Sequence, residues 1–157
     1  MAPRGSAFAI SASQSDPKTE GRPTIKLNRL TLPPDMPARR YFRKQLERIL
    51  KREVRRARWG AGRGATISYR FEVTELDLEQ VEGVLRVRCA AVGRLPRGKV
   101  ARSRLVFSGQ ANRRNALIKQ VLEIVARGVI TRLAELERIR RGELKDARAR
   151  TPSSPAE

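Results

Sequence analysis

The sequence predicts an α+β fold, a two-layer sandwich in which an antiparallel sheet carries two helices on one face. Three observations predict it. The 157 residues suit one domain. Hydrophobic periodicity gives the order β-α-β-β-β-α, with three consecutive strands between two amphipathic helices. The strands alternate apolar and polar residues, which leaves one face of the sheet open. We predict a disordered arm over 1–23, a single domain over 24–142 and a disordered basic tail over 143–157.

The first two elements are a strand over Thr24–Leu32 and a helix over Pro37–Arg58. The strand alternates at its start, and two prolines end it. Glycines 60, 62 and 64 end the helix and form a turn. The helix has apolar residues spaced for one face of a 3.6-residue period. They are Phe42, Leu46, Ile49, Leu50, Val54 and Ala57.

Three strands follow, over Thr66–Leu76, Val84–Val92 and Val100–Ser108. Turn residues separate them, with Glu82-Gly83 before the second and Pro96-Arg97-Gly98 before the third. One set of alternating side chains should face the helices, because successive strand residues point to opposite faces. This set is Ile67, Tyr69, Phe71, Val73, Leu85, Val87, Cys89, Ala91, Ala101, Ser103, Leu105 and Phe107.

The last element is a long helix from an N-cap at Asn112 to about Arg141. Two charges break the apolar pattern. Glu53 projects within the apolar stripe of the first helix, and Arg132 projects within the apolar arc of the last. A lone buried charge is costly and seeks a partner. Either each side chain reaches solvent at an edge, or Glu53 and Arg132 form a structural ion pair between the helices.

The composition excludes several function classes. The sequence has no His and one Cys, which removes His-based catalysis, His ligation of zinc and an internal disulfide. No apolar run approaches the roughly 18 residues of a membrane span. We therefore expect a protein that is not an enzyme, with no cofactor and no metal site.

The N-terminal segment bears on location. Residues 6–13 follow Arg4 and loosely resemble a signal peptide, but their apolar part is shorter than the roughly 7 to 15 residues that export requires. We expect a cytoplasmic protein. The alternative is a periplasmic or outer-membrane-associated protein whose signal peptide has been removed.

The net charge of +19 is concentrated in two blocks that predict binding of a polyanion. One is a stripe opposite the apolar face of the first helix, and its alternative is an ordinary solvated helix face. The other lies on the open face of the sheet, and its alternative is partial neutralisation by Glu72, Glu75 and Asp77 or by a covering tail. The helical block is Arg40, Lys44, Arg48, Lys51, Arg52 and Arg55. The sheet block is Arg70, Arg86, Arg88, Arg102 and Arg104, and the turn residues Arg94, Arg97 and Lys99 extend it at the hairpin tip.

The outward positions of the predicted sheet are Arg, Val, Ser and Thr, while Tyr69 and Phe71 face inward. Sheets that read single-stranded RNA stack bases on aromatic side chains. Base stacking is therefore not expected, and any nucleic acid would be bound through its backbone and shape.

The topology resembles two known groups. The order β-α-β-β-β-α with a basic first helix is similar to that of ribosome hibernation-promoting factors. It also resembles the outer-membrane lipopolysaccharide-assembly lipoproteins, although these begin with a lipobox cysteine and the one cysteine here is Cys89. The segment 109–116 is similar to the helix entry of double-stranded RNA-binding domains. Asn112, Arg113, Arg114 and Ala116 match that motif in type.

The sequence thus favours a non-enzymatic, strongly basic domain that docks on an anionic polymer, with the nucleic-acid backbone of DNA or RNA first. The alternative is a bacterial envelope accessory protein that binds lipopolysaccharide or an outer-membrane partner. A protein partner is compatible with both. The Arg-rich and Ala-rich composition is typical of a GC-rich bacterium.

Overall fold

A computed structural model describes residues 22–60 and 64–150. The predicted α+β fold with an open sheet is confirmed. Nearly all of the predicted arm lies outside the described residues, as do 151–157 of the predicted tail. The elements are β1 (Thr24–Thr31), α1 (Arg39–Arg56), β2 (Thr66–Val81), β3 (Val84–Arg94), β4 (Val100–Gln110) and α2 (Arg114–Arg150), with 3₁₀ turns at Pro96–Gly98 and Ala111–Arg113. Because α2 continues to Arg150, the predicted tail boundary at 143 falls inside a helix.

The sheet has the order β1-β2-β3-β4. Strands β2, β3 and β4 form the predicted antiparallel meander. Strand β1 instead pairs in parallel with β2, so the expectation of a wholly antiparallel sheet was wrong. The reason is the connection. The chain leaves β1, forms α1 and returns to the same end of the sheet, which is how helical crossovers join parallel strands.

Both helices cover one face of the sheet, and the core lies between the two layers. Phe42, Leu46 and Leu50 of α1 are fully buried. So are Phe71 of β2 and Val87 of β3, as the alternation predicts. Leu105 and Phe107 on the edge strand β4 face the same way but are only half-buried. The opposite face of the sheet has no covering element among the described residues.

A β-bulge interrupts β2. Val73 pairs with Ala91 and Glu75 pairs with Ala90, which leaves Thr74 as the extra residue. The Thr74 hydroxyl donates to the Ala90 carbonyl oxygen at 3.2 Å. A bulge shifts the alternation of a strand by one residue. Without the bulge, the alternation of β2 would turn Leu76 outward. With the bulge, Leu76 points inward opposite Cys89, and the strand extends to Val81.

The C-terminal end of α1 is closed by three side-chain donors. The Trp59 indole Nε1 donates to the Val54 carbonyl at 3.0 Å, as expected for a residue that packs the helix end. Arg22 Nη2 donates to the Arg55 carbonyl at 2.8 Å, and Arg138 of α2 donates to the Arg58 carbonyl. The first two donors satisfy carbonyl oxygens of the last turn that the helix itself leaves without partners, and the third binds a carbonyl just beyond the helix.

The predicted ion pair between Glu53 and Arg132 is wrong. Glu53 is buried, but its Oε1 lies 3.4 Å from Nε of Arg127. Arg132 is half-exposed and pairs with Glu135 at 2.6 Å. Arg127 and Arg132 are five positions apart along α2, so their side chains leave the helix about 140° apart around its axis. Arg127 therefore faces α1, and Arg132 faces solvent.

Candidate anion-binding surface

The helical block is an exposed stripe with one exception. Arg40, Lys44, Arg48, Lys51 and Arg55 are all exposed, as predicted. Arg52 belongs instead to the contact between the helices. Its Nη2 lies 2.9 Å from Oε2 of Glu123 on α2, and its Nε lies 3.4 Å from Oε2 of Glu53. The hydrogen bond with Glu123 raises the pKa of Arg52. We therefore remove Arg52 from the binding stripe.

The sheet block lies where the alternation places it. All five predicted arginines are exposed and occupy the face opposite the helices: Arg70, Arg86, Arg88, Arg102 and Arg104. Whether this surface binds a polyanion stays a prediction, but its geometry shows that the five residues are not equivalent.

Carboxylates balance one end of the open face. The acidic column of β2 runs down the sheet, and it consists of Glu72, Glu75, Asp77 and Glu79. In the β2–β3 register Asp77 lies opposite Arg88 and Glu79 lies opposite Arg86. Arg86 Nη1 is 4.0 Å from Glu79 Oε1. Opposite charges directly across a strand pair stabilise a sheet. Of the carboxylates considered from the sequence, Asp77 lies opposite Arg88 at this end, and the ion pair found there involves Glu79 instead.

The other end of the open face carries a row of three arginines on adjacent strands. Arg29 of β1 lies beside Arg70 of β2, which lies beside Arg94 of β3. We call Arg29, Arg70 and Arg94 the arginine row. None of the three forms an ion pair with another described residue. Like charges directly opposite one another destabilise a sheet, so the row costs the unliganded fold free energy.

Sequence reasoning missed Arg29, and it assigned Arg94 to the hairpin turn that extends the sheet block instead of to the strand. Arg94 lies beyond the predicted end of its strand. Arg29 follows an irregularity of β1 between Leu27 and Arg29, where the register shifts by one residue and leaves Asn28 out of the pairing. The apolar residue Leu30 could have revealed the orientation of Arg29. Of two neighbouring strand residues only one can face the core, and the apolar one is expected to do so. Leu30 is buried opposite Phe71.

Two clefts flank the central arginine of the row. One, of about 370 Å³, is lined by Asn28, Ser68, Arg70, Arg94 and Arg97, with backbone and apolar neighbours. The other, of about 130 Å³, has Arg29, Arg70, Glu72 and Arg94 among its lining residues. Arg70 and Arg94 line both clefts. The arginine row thus separates two concave areas that solvent or a small ligand group can enter.

The remaining reactive side chains are buried in the core. Burial raises the pKa of the Cys89 thiol to about 12, with a smaller contribution from the nearby Glu75 carboxylate. Burial also raises the pKa of the Tyr69 phenol. Both groups are therefore protonated at neutral pH, which does not suit a nucleophile. Within 22–60 and 64–150 there is no group of three or more acidic or cysteine side chains arranged to hold a metal ion.

The two helices of the described region are too polar for a membrane crossing.

No protein-family model matches this sequence. No curated protein matches it either. Two solved structures have a partly similar course of the chain. One is a minor lipoprotein from Acinetobacter baumannii, with 17% identity, a TM-score of 0.38 and coverage of 73% of this chain and 94% of that one. The other is a candidate lipoprotein from Caulobacter crescentus CB15, with 15% identity, a TM-score of 0.42 and coverage of 74% and 91%.

Neither structure is described as a ribosome hibernation factor. Both are described as lipoproteins, with no binding partner named. At these identities and TM-scores the likeness concerns the course of the backbone only. What the protein binds has to be argued from its own residues.

Proposed function

We propose that this protein is a non-enzymatic binding module of the bacterial envelope. Its open sheet face docks a compact phosphorylated group, and the partner is a phosphorylated glycolipid of the lipopolysaccharide class. The observation that carries the proposal is the uneven charge of the open face. Arginine is unbalanced at one end, whereas carboxylates balance it at the other.

This unevenness bears on the shape of the anion. From Arg70 to Glu79 the strand runs about 30 Å, at roughly 3.3 Å per residue. A nucleic-acid backbone laid along the face would leave the arginine row and then meet the acidic column of β2. A compact anionic group at the arginine row meets far less of that repulsion. A glycolipid headgroup concentrates its phosphates in this way, whereas a duplex spreads one charge per about 1.7 Å of its axis.

Nucleic acid is the second candidate, and a different surface favours it. The five exposed cations of α1 follow one another along the outside of the helix for about four turns: Arg40, Lys44, Arg48, Lys51 and Arg55. Such a stripe can neutralise a row of phosphates. The open face itself offers no aromatic side chain for base stacking among the described residues.

Two variants separate the candidates. The sheet variant replaces Arg70, Arg94, Arg102 and Arg104 by Gln, and the helix variant replaces Lys44, Arg48, Lys51 and Arg55 by Gln. All eight side chains are exposed, so both variants should fold, which circular dichroism checks. Binding is measured by sedimentation with phosphatidylcholine vesicles that contain lipopolysaccharide, and by fluorescence anisotropy with a labelled duplex DNA and an RNA hairpin.

We expect the sheet variant to lose at least tenfold in vesicle affinity and the helix variant to stay within threefold of the parent. The opposite pattern, with the duplex bound more tightly than the vesicles, would overturn the proposal in favour of nucleic acid. In that case the slope of log K against log salt should fall by roughly 3 in the helix variant, at about 0.9 per phosphate contact. Binding weaker than about 100 μM to all three probes at low salt would exclude both candidates.

A further inference from the structure

We infer that the arginine row is a specific binding site for one terminal phosphomonoester group of the partner. This inference rests on the proposed function and deepens it, because it assigns the docking contact to Arg29, Arg70 and Arg94 and names the chemical group that they bind.

The first argument is position. The three arginines come from segments far apart in sequence, yet the strand registers place them side by side. Neighbouring strands lie about 4.8 Å apart, so the outer two Cα atoms are separated by about 10 Å. Arg70 is flanked by a guanidinium on each side. Flexible arginine side chains on this spacing can converge above Arg70 on one tetrahedral anion.

The second argument is charge balance. Glu72, two residues along β2, has the nearest open-face carboxylate on that strand, and it forms no ion pair with a described arginine. Buried carboxylates elsewhere in this molecule do collect arginines. Glu137 has Arg140 at 2.6 Å and Arg141 at 2.8 Å. The row therefore presents three positive charges without counter-charges among the described residues, and an external anion can supply the negative charge.

The third argument is the chemistry of the anion. A guanidinium offers a planar fork of N–H donors that matches phosphate oxygens in pairs. A phosphomonoester has three terminal oxygens and about −1.5 to −2 charge at pH 7. A phosphodiester has two terminal oxygens and one charge. Three arginine forks can each engage an oxygen of a monoester, so the row should prefer the monoester. This preference disfavours the internal diesters of a nucleic acid.

The experiment compares methyl phosphate with dimethyl phosphate. Binding to the full chain is followed by NMR, through the Nε–Hε signals of the arginine side chains. Arg70→Gln removes the centre of the row. Arg86→Gln is the matched control, because Arg86 is equally a strand residue of the open face but is paired with Glu79. The expected result is at least fivefold tighter binding of the monoester, at least tenfold weaker binding in R70Q, and less than twofold change in R86Q.

Two results would overturn the inference: equal affinity for the two esters, or equal effects of R70Q and R86Q. Lipopolysaccharide vesicles separate this failure from failure of the proposed function. If R70Q binds the vesicles as tightly as the parent does, the arginine row is not the phosphate-binding site, although the glycolipid proposal stands. If methyl phosphate binds at the row while the vesicles do not bind the protein, the phosphate-binding site is supported and the glycolipid assignment is wrong.

Discussion

The two faces of strand β2 use neighbouring residues for opposite purposes. Tyr69 and Phe71 point towards the helices and are buried. Arg70 and Glu72 point away and are exposed. Charges follow the same division. Between the helices, the buried Glu53 lies within 4 Å of three arginines, whereas the arginine row lacks an acidic partner among the described residues. The helix face therefore determines stability, and the open face is available for binding.

The largest expected loss of stability comes from a substitution on the face of β2 that is packed against the helices. Phe71→Ala should lower the free energy of unfolding by about 3–5 kcal/mol, because it empties a position that is 1% exposed in the centre of the core. Urea unfolding followed by circular dichroism measures this. A loss below about 1 kcal/mol would mean that Phe71 does not belong to the core.

The next effect concerns the residue opposite Phe71 in the β2–β3 register, which is Gly93. A Cβ atom there would lie 2.4 Å from Cγ1 of Val129 and 2.8 Å from Cδ1 of Leu133. Gly93→Ala should therefore push α2 away from β3 and cost about 1–3 kcal/mol. The control is Gly142→Ala on α2, the helix that Gly93 packs against, where a Cβ meets no atom within 4 Å. This substitution should be neutral or stabilising, and equal losses in both variants would contradict the packing argument.

A third prediction uses pH. Burial by itself would raise the pKa of Glu137, but hydrogen bonds from Arg140 and Arg141 outweigh burial and hold this pKa below its ordinary value of 4.5. A carboxylate with a lowered pKa in the folded state stabilises the fold above pH 4.5. That stabilisation is lost as the pH falls through the folded-state pKa.

Glu137→Gln tests this prediction. At pH 7 it should cost about 1–3 kcal/mol, because charge-assisted hydrogen bonds are lost. The gap between parent and variant should shrink as the pH falls below 4.5 in urea unfolding. A gap that stays constant down to pH 3 would show that ionisation of Glu137 is not its cause.

The smallest effect has the opposite sign. Arg70→Gln removes like charges that face each other across two strand pairs, so the unliganded protein should gain about 0.2–1 kcal/mol at low salt. The gain should disappear in 1 M NaCl, where charges are screened over about 3 Å. A loss of stability would mean that Arg70 has a structural role on the open face.

The sequence predicted the part of the fold that depends on local patterns. The alternation from Ile67 to Val73 correctly assigned both faces of β2, and so placed Arg70 on the open face. The parallel pairing of β1 was missed although the predicted order β-α-β contains a helical crossover, the connection that usually joins parallel strands. The face to which each residue of β2 beyond Val73 points was also not predicted, since the bulge at Thr74 depends on pairing with β3.

The candidate site was harder to predict for the same reason. Arg29, Arg70 and Arg94 become neighbours only through strand registers, which are tertiary facts. The error over Glu53 and Arg132 has a related origin. A helical wheel shows that a charge enters an apolar arc, but the packing of α1 against α2 decides which arginine is opposite. Arg127, one and a half turns earlier, meets Glu53.

The parallel pairing of β1 has a consequence for the order in which the protein folds. Strands β2, β3 and β4 are joined by short turns, so the loops that close their pairing are small and cost little entropy. Strand β1 can join only after the chain has closed a loop that contains all of α1. We therefore expect β1 to pair last and, as an edge strand, to open first. An anion that bridges Arg29 to Arg70 and Arg94 would then slow the amide hydrogen exchange of β1 in particular.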